Sequence, residues 1–200
     1  MEIEFKYRVP FELFDAVGED PVLRRARRIR MDAQYFDTPS GALRAASVTL
    51  RLRREAPEGE EGALICCVKM PAPNDTREDA ALRRRLEYEC EAPSVEAALP
   101  QLEAQGLDCT ALRAALAEGL VVAAHIRYTR RETLVEKDGS AHTVCLDRGM
   151  LGKTPFAEVE VEYKSGDFAA TEAAAHALAA RYGLYPEQRG KYARALLWRD

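Results

Sequence analysis

The sequence predicts an α+β fold: a closed or nearly closed β-barrel with charged residues inside and apolar residues outside, under helices. Three observations predict it. The opening stretch Met1-Glu2-Ile3-Glu4-Phe5-Lys6-Tyr7 alternates charged and apolar residues, so as a strand it would turn Glu2, Glu4 and Lys6 to one face and Ile3, Phe5 and Tyr7 to the other. The same alternation recurs. Glu158, Glu160 and Glu162 alternate with Val159, Val161 and Tyr163; Arg85, Glu87, Glu89 and Glu91 with Leu86, Tyr88 and Cys90; Arg51 and Arg53 with Leu50 and Leu52. Finally, Ala- and Leu-rich segments with helical spacing lie between and after the strands, ready to cover an apolar outer wall. One half-buried strand would simply expose its charges to water. Several such strands in one small protein fit a barrel whose acids and bases line a wet interior, with carboxylates suited to divalent cations and guanidinium and ammonium groups suited to a polyanion.

The 200 residues, 47% hydrophobic and 31% charged, suffice for one sizeable core, and no linker or internal repeat divides residues 1–200. The net charge of -4 argues against a general nucleic-acid binder, which needs a cationic surplus. No apolar run is long enough to cross a membrane, and the N-terminus is acidic where a secretory leader would be basic, which points to a cytoplasmic protein. Cys66, Cys67, Cys90, Cys109 and Cys145 are odd in number, lack paired metal-type spacing and read as reduced core or strand residues. His125, His142 and His176 are scattered, against a His-centred metal site or a Ser-His-Asp triad.

In chain order, Pro10 opens a short helix through Phe11, Leu13, Phe14 and Val17 that Gly18 ends. In the basic run that follows, Arg24 and Arg25 read as solvated surface, while Arg28 and Arg30 start the next strand and could reach the interior. Asp37-Thr38-Pro39-Ser40-Gly41 is a turn by its chemistry. A connector from Leu43 leads to the strand of Arg51 and Arg53, whose paired donors suit successive phosphates if they face inward; an exposed edge strand is the alternative. Lys69 is the single charge at the end of the apolar strand Ala63 to Val68, after a polar loop from Pro57 to Gly62. Another loop, with Asn74 and Asp75, precedes the strand from Arg83 to Glu91. Ser94 caps a helix running to Gly106, and a second runs from Thr110 to Gly119. Leu120 to Glu136 is one long strand or two, with Arg127, Thr129 and Arg131 on one face and Ile126 and Tyr128 on the other. Asp138-Gly139 marks a hairpin that pairs Leu134 to Lys137 with Ala141 to Asp147. Arg148-Gly149 then turns the chain into the strand from Phe156 to Lys164, Asp167 caps an Ala-rich helix from Phe168 to Tyr182, and Pro186 opens a last helix through Lys191, Tyr192 and Trp198. Both terminal helices are expected on the barrel's outside.

In this order, Glu2-x-Glu4-x-Lys6, Tyr35-Phe36-Asp37-Thr38-Pro39, Leu50-Arg51-Leu52-Arg53, Val68-Lys69, Glu87-Tyr88-Glu89, Cys145-Leu146-Asp147-Arg148-Gly149, Glu158 to Glu162 with Lys164-Ser165-Gly166-Asp167, and Lys191-Tyr192 resemble the CYTH domains, or triphosphate tunnel metalloenzymes. The likeness covers nearly the whole chain and is greatest to bacterial inorganic triphosphatases. It implies an eight-stranded antiparallel tunnel that acts on triphosphates with Mg2+ or Mn2+. It implies Glu4 and Lys6 as catalytic groups, Lys6 positioning phosphate or water. Arg51, Arg53, Lys69, Arg85, Arg127, Arg131 and Lys191 would bind substrate, with Lys191 near the tunnel mouth. Glu2, Glu4, Glu87, Glu89, Asp147, Glu158, Glu160 and Glu162 would hold metal, although which pair of the last three does so is open, as is the choice between Arg127 and Arg131. A helical CHAD domain often follows in such relatives and is not expected before Asp200. The expected partner is a small triphosphate or polyphosphate, with no nucleic acid and no membrane. The implied reaction is hydrolysis of inorganic triphosphate; thiamine triphosphatase, class IV adenylyl cyclase and a non-catalytic polyphosphate-binding module are the alternatives.

Overall fold

The computed structural model describes residues 1–73 and 79–197. Trp198 of the expected last helix and Asn74 and Asp75 of the expected loop lie outside the described residues. Eight long strands form among them: β1 (Glu2–Arg8), β2 (Arg27–Asp37), β3 (Thr49–Pro57), β4 (Ala63–Pro71), β5 (Leu82–Glu91), β6 (Val121–Lys137), β7 (Ser140–Leu151) and β8 (Thr154–Ser165). Each pairs antiparallel with its neighbours in the order β5-β4-β3-β2-β6-β7-β8-β1, and β1 pairs back onto β5, which closes an eight-stranded barrel. A two-residue strand, β9 (Tyr185–Pro186), adds to the end of β1.

The alternation in the sequence sorts the two faces. Outward-facing Phe5, Tyr7, Val144, Leu146, Val159 and Val161 pack under the long helix α5 (Phe168–Tyr182) together with Leu178 and Ala179. Leu50, Cys66 and Val68 pack under α3 (Val95–Ala104) and α4 (Thr110–Glu118) through Ala98, Leu102, Leu112 and Ala115. The expected caps are in place: Ser94 Oγ accepts from Ala97 N at 3.2 Å, and Asp167 Oδ1 accepts from Ala169 N at 3.0 Å. Short helices α1 (Phe14–Gly18) and α2 (Ala42–Ala45) fill the early connections. Asp37 organises the turn before α2, its Oδ1 accepting from the backbone of Thr38 and Leu43 at 2.8 and 2.9 Å.

Two expectations are corrected. Arg148-Gly149 does not turn the chain; β7 continues to Leu151 and reverses at residues 152–153. Gly149 instead permits close strand approach, since a Cβ there would stand 2.3 Å from the Arg127 carbonyl oxygen and 2.5 Å from Tyr128 Cβ. The last helix, α6 (Lys191–Leu197), does not lie outside the barrel. Tyr192 stacks on inward-facing Tyr35 with centroids 5.0 Å apart, and Tyr192 and Ala195 share a core with Ile126, Tyr128, Leu151 and Phe156. Lys191 and Arg194 find their counter-charges inside, so α6 fits as a plug in one end of the barrel.

Candidate functional site

Cross-strand partners in a barrel share a face, so the pairing register decides which side chains meet inside. Glu4 lies opposite Glu162 and Lys6 opposite Glu160 on β8; Glu2 lies opposite Arg85 and Glu4 opposite Arg83 on β5. Glu87 lies opposite Lys69, which lies opposite Thr49, and Arg51 lies opposite Cys67 and Tyr35. These faces enclose a cavity of about 280 Å³ lined mostly by charged groups.

Inside it, Lys69 Nζ sits 2.7 Å from Glu2 and 2.8 Å from Glu87. Arg85 Nη2 bridges Glu2 and Glu4 at 2.9 and 3.1 Å, and Lys6 Nζ lies 3.3 Å from Glu4 and 2.8 Å from Glu160. Arg53 pairs with Glu55. Arg51 is buried beside Tyr35 and Cys67 and makes no ion pair among the described residues. The buried Nε atoms of Arg51, Arg53 and Arg85 have no hydrogen-bond partner among the described residues. The Nε atoms of Arg131 and Arg194, outside the cavity, are unmet in the same way, so it is the number of guanidinium and ammonium groups gathered on one cavity that suits an incoming polyanion.

Protonation follows from these neighbours. Burial pushes the Glu87 carboxyl up, but Lys69 overcomes it and holds Glu87 at about 2. Glu2 is likewise lowered, burial being outweighed by Lys69 and Arg85. Glu162 goes the other way: burial raises it, Lys164 offsets this only in part, and Glu2 and Glu87 add to the rise. The thiol of Cys67 is pushed by burial up to about 11, so this wall residue is an inert thiol that donates to Glu87 at 3.1 Å.

Two acidic groupings lie in and beneath the cavity. At the plugged end, Asp147, Glu158 and Glu160 have carboxylate oxygens within 4.8 Å of one another. A cation of the protein's own already stands among them: Lys191 Nζ lies 2.7 Å from Asp147 and 3.0 Å from Glu160 and also contacts Glu158. Arg130 donates to both oxygens of Asp147 at 2.8 Å and to Glu160 at 2.7 Å, while Arg194 pairs with Glu158. Nearer the open end, oxygens of Glu2, Glu87 and Glu162 also come within 4.8 Å. There Lys69 pairs with Glu2 and Glu87, Arg85 with Glu2 and Lys164 with Glu162, whose carboxyl is raised chiefly by burial; three carboxylates this close make an all-oxygen donor set of a kind that suits a hard divalent cation.

Of the residues singled out from the sequence, Glu2, Glu4, Lys6, Arg51, Arg53, Lys69, Arg85, Glu87, Glu89, Glu160, Glu162 and Lys191 line the cavity. Lys191 stands at the plugged end and not at the mouth. Asp147 and Glu158 lie beneath it, fully buried. Arg127 and Arg131 are not inside. The Arg127 side chain is 73% exposed and pairs with Asp32 at 3.0 Å, and Arg131 donates to the carbonyls of Gly18 and Leu23 beside α1. The cause is strand parity: β6 turns Tyr128, Arg130 and Glu132 inward. Arg28 and Arg30 are exposed for the same reason, β2 turning Ile29 and Met31 into the core. The sequence reading passed over Arg83, Arg130, Glu132 and Lys164, which share faces with Arg85, Tyr128 and Glu162, and over Tyr35, Tyr128 and Tyr192.

Fold and site together define a closed barrel with a charged blind cavity. The model of the CYTH domain matches residues 1–196, and the chain belongs to that family. Among solved structures it is similar to HpAC1 of Hippeastrum, described as a candidate adenylyl cyclase with a dominant triphosphatase activity (17% identity, 96% of this chain and 94% of that one, TM-score 0.70). It is also similar to the PH1819 protein of Pyrococcus horikoshii (21%, 98% and 98%, 0.64) and to a candidate adenylate cyclase of Bacillus halodurans (22%, 97% and 96%, 0.67). At such identities the likeness is one of fold. No curated protein matches the chain. No described helix is long and apolar enough to cross a membrane.

Proposed function

We propose that this chain hydrolyses a phosphoanhydride bond of inorganic triphosphate, releasing phosphate and diphosphate, with Mg2+ or Mn2+. The observation that carries this reading is the convergence of Arg51, Arg53, Lys69 and Arg85 with the carboxylates of Glu2, Glu87 and Glu162 on one small charged cavity. A non-catalytic anion binder gains nothing from the carboxylates, whose repulsion of a polyanion must be offset. The cavity shows no apolar compartment for an adenine or thiamine ring among the described residues, its aromatic side chains being stacked with one another or under Lys191.

A divalent cation on Glu2, Glu87 and Glu162 would neutralise phosphate oxygens and lower the pKa of a bound water. The chain's own groups do the rest. Arg51, Arg53 and Arg85 hold the phosphoryl oxygens in line and stabilise charge on the leaving diphosphate. Lys6, held between Glu4 and Glu160, orients phosphate or water, and Glu4 accepts the water's proton as its oxygen bonds to phosphorus and the bridging P–O bond breaks.

The test incubates the protein with tripolyphosphate, ATP or thiamine triphosphate under each metal and measures phosphate, diphosphate and cyclic AMP. Phosphate and diphosphate from tripolyphosphate are expected, and Glu4→Gln should lower turnover at least about 100-fold while the protein stays folded. Cyclic AMP as the main product would assign a cyclase, and tight binding without turnover a capture module. Full activity in Glu4→Gln would refute its assignment.

A further inference from the structure

Outside the barrel, between α5 and the hairpin of β6 and β7, lies a second cavity of about 580 Å³ that the proposed hydrolysis does not use. Both of its ends are built. At one, the turn at Gly166 presses on the hairpin tip, where a Cβ would stand 2.4 Å from the Gly139 carbonyl oxygen. At the other, Asp20 accepts from the Arg181 guanidinium and from the Tyr182 hydroxyl. Along α5 the slot is walled by Ala170, Ala174 and Ala177, which recur on one helix face and leave it flat, and the barrel supplies Val135 and Val144.

His142 also lines this slot. The pairing of β7 with β8 bulges between Ala141 and His142, and a bulge re-aims the side chain it carries. The imidazole is only 9% exposed, yet it makes no hydrogen bond or ion pair among the described residues. Burial lowers its pKa, so near pH 7 it is neutral, one ring nitrogen a donor and the other an acceptor. Ser140, buried on the same wall, accepts from Asp167 N at 2.9 Å and keeps its own O–H to donate. Buried polar groups normally find partners, and here the unmet ones open on a preformed, largely apolar slot.

We infer that this slot binds a small uncharged aromatic amide or lactam, its ring against the alanine face of α5 and its N–H and C=O meeting His142 and Ser140. A purely apolar occupant would leave both residues unmet. A charged one gains little, because Arg181 is already held by Asp20, while Lys137 and Asp138 at the rim are exposed and opposite in sign. The site lies outside the barrel, and its occupancy does not depend on the hydrolase reading.

The full chain, labelled with 15N at histidine, is titrated with benzamide as the probe, and the His142 ring nitrogens are followed by long-range 1H–15N NMR without added metal. Saturable shifts at His142 are expected, with a dissociation constant of about 1 mM or tighter and unchanged by tripolyphosphate. N,N-dimethylbenzamide, which lacks the N–H donor, should bind at least about 5-fold more weakly. Ala174→Trp should fill the slot and abolish binding, and His142→Phe, read by the benzamide line widths, should weaken it at least about 5-fold; both should keep any tripolyphosphate hydrolysis of the parent chain. Ala174→Trp decides the matter alone if His142→Phe does not fold. No saturation up to about 10 mM would overturn the inference, as would equal binding of the two amides or competition by tripolyphosphate. So would a doubled mass in sedimentation that Ala174→Trp removes, since a second copy of the chain would then cover the slot.

Discussion

Replacing Arg130 and Arg127 separately by methionine tests the register of β6 and, with it, which arginine belongs to the interior. The Arg130 guanidinium is 11% exposed, doubly bonded to Asp147 and bonded to Glu160. Removing one member of a buried ion pair costs about 3–5 kcal/mol, because the partner stays buried without its counter-charge. Lys191 remains 2.7 Å from Asp147 and softens the loss, so the lower figure, about 3 kcal/mol, applies. For a chain of this size each kcal/mol moves the midpoint by about 2–4 °C, giving a fall of roughly 6–12 °C. Arg127 and its partner Asp32 are 73% and 45% exposed, and such a pair is worth at most about 1 kcal/mol, so Arg127→Met should shift Tm by no more than about 4 °C. Thermal melts followed by far-ultraviolet circular dichroism measure both, and tripolyphosphate hydrolysis well below each midpoint should fall only in Arg130→Met. An equal loss of Tm in the two variants, or full turnover in Arg130→Met, would refute the assignment.

The remaining predictions follow from the perturbed carboxyls and the wall thiol. Glu87 lies at about 2 in the folded protein against an ordinary 4.5, so the folded state binds fewer protons in between, and the stability it contributes is present above 4.5 and lost as pH falls toward about 2. Urea midpoints measured across that window should fall steeply for the native chain and less for Glu87→Gln; identical slopes would contradict the pairing with Lys69. Glu162 is raised, so its folded form prefers the proton and it costs stability as pH rises past the ordinary carboxylate value. Glu162→Gln should therefore raise the metal-free Tm at mildly alkaline pH and reduce the Tm gain from added Mn2+, and an undiminished gain would remove Glu162 from the metal group. Cys67, with its thiol at about 11, should resist iodoacetamide in the native protein at pH 8 and react once denatured; early labelling of Cys67 by peptide mass spectrometry would show a different environment.

Strand alternation carried most of the fold. It separated the charged faces of β1, β3, β5 and β8 from their apolar faces, and the same residues meet inside the barrel, because a period-two pattern leaves no other place for them once the outer faces are covered. The placement of α6 was not legible in this way. Its composition, Lys191, Tyr192 and Arg194 with Ala195 and Leu196, mixes charge and apolar surface, as a helix on the outer wall would. What decides its position is the supply of partners: Asp147, Glu158 and Glu160 are buried at one end of the barrel and need cations, while Tyr35 and Phe156 need apolar cover. Those partners come from β2, β7 and β8 and are joined only in three dimensions. The charge balance of the acidic groupings is equally non-local: the cations that stand among them, Lys69 and Lys191, come from β4 and α6 and meet their carboxylates only in three dimensions.

The inward face of β6 was within reach of the sequence all the same. Asp138 and Gly139, with φ of +50° and +76°, form the two-residue turn their chemistry announces, which pairs Lys137 with Ser140. Seven residues back along one arm and seven forward along the other bring Arg130 opposite Asp147. Asp147 already shared a face with the residues expected inside, and directly opposed residues point the same way. Tyr128, Arg130 and Glu132 therefore had to be internal and Arg127 and Arg131 external. Arg127 and Arg131 were implied by the family resemblance, with the register of β6 left open, and in a strand this rich in arginine a shift of one residue exchanges an interior guanidinium for a solvated one.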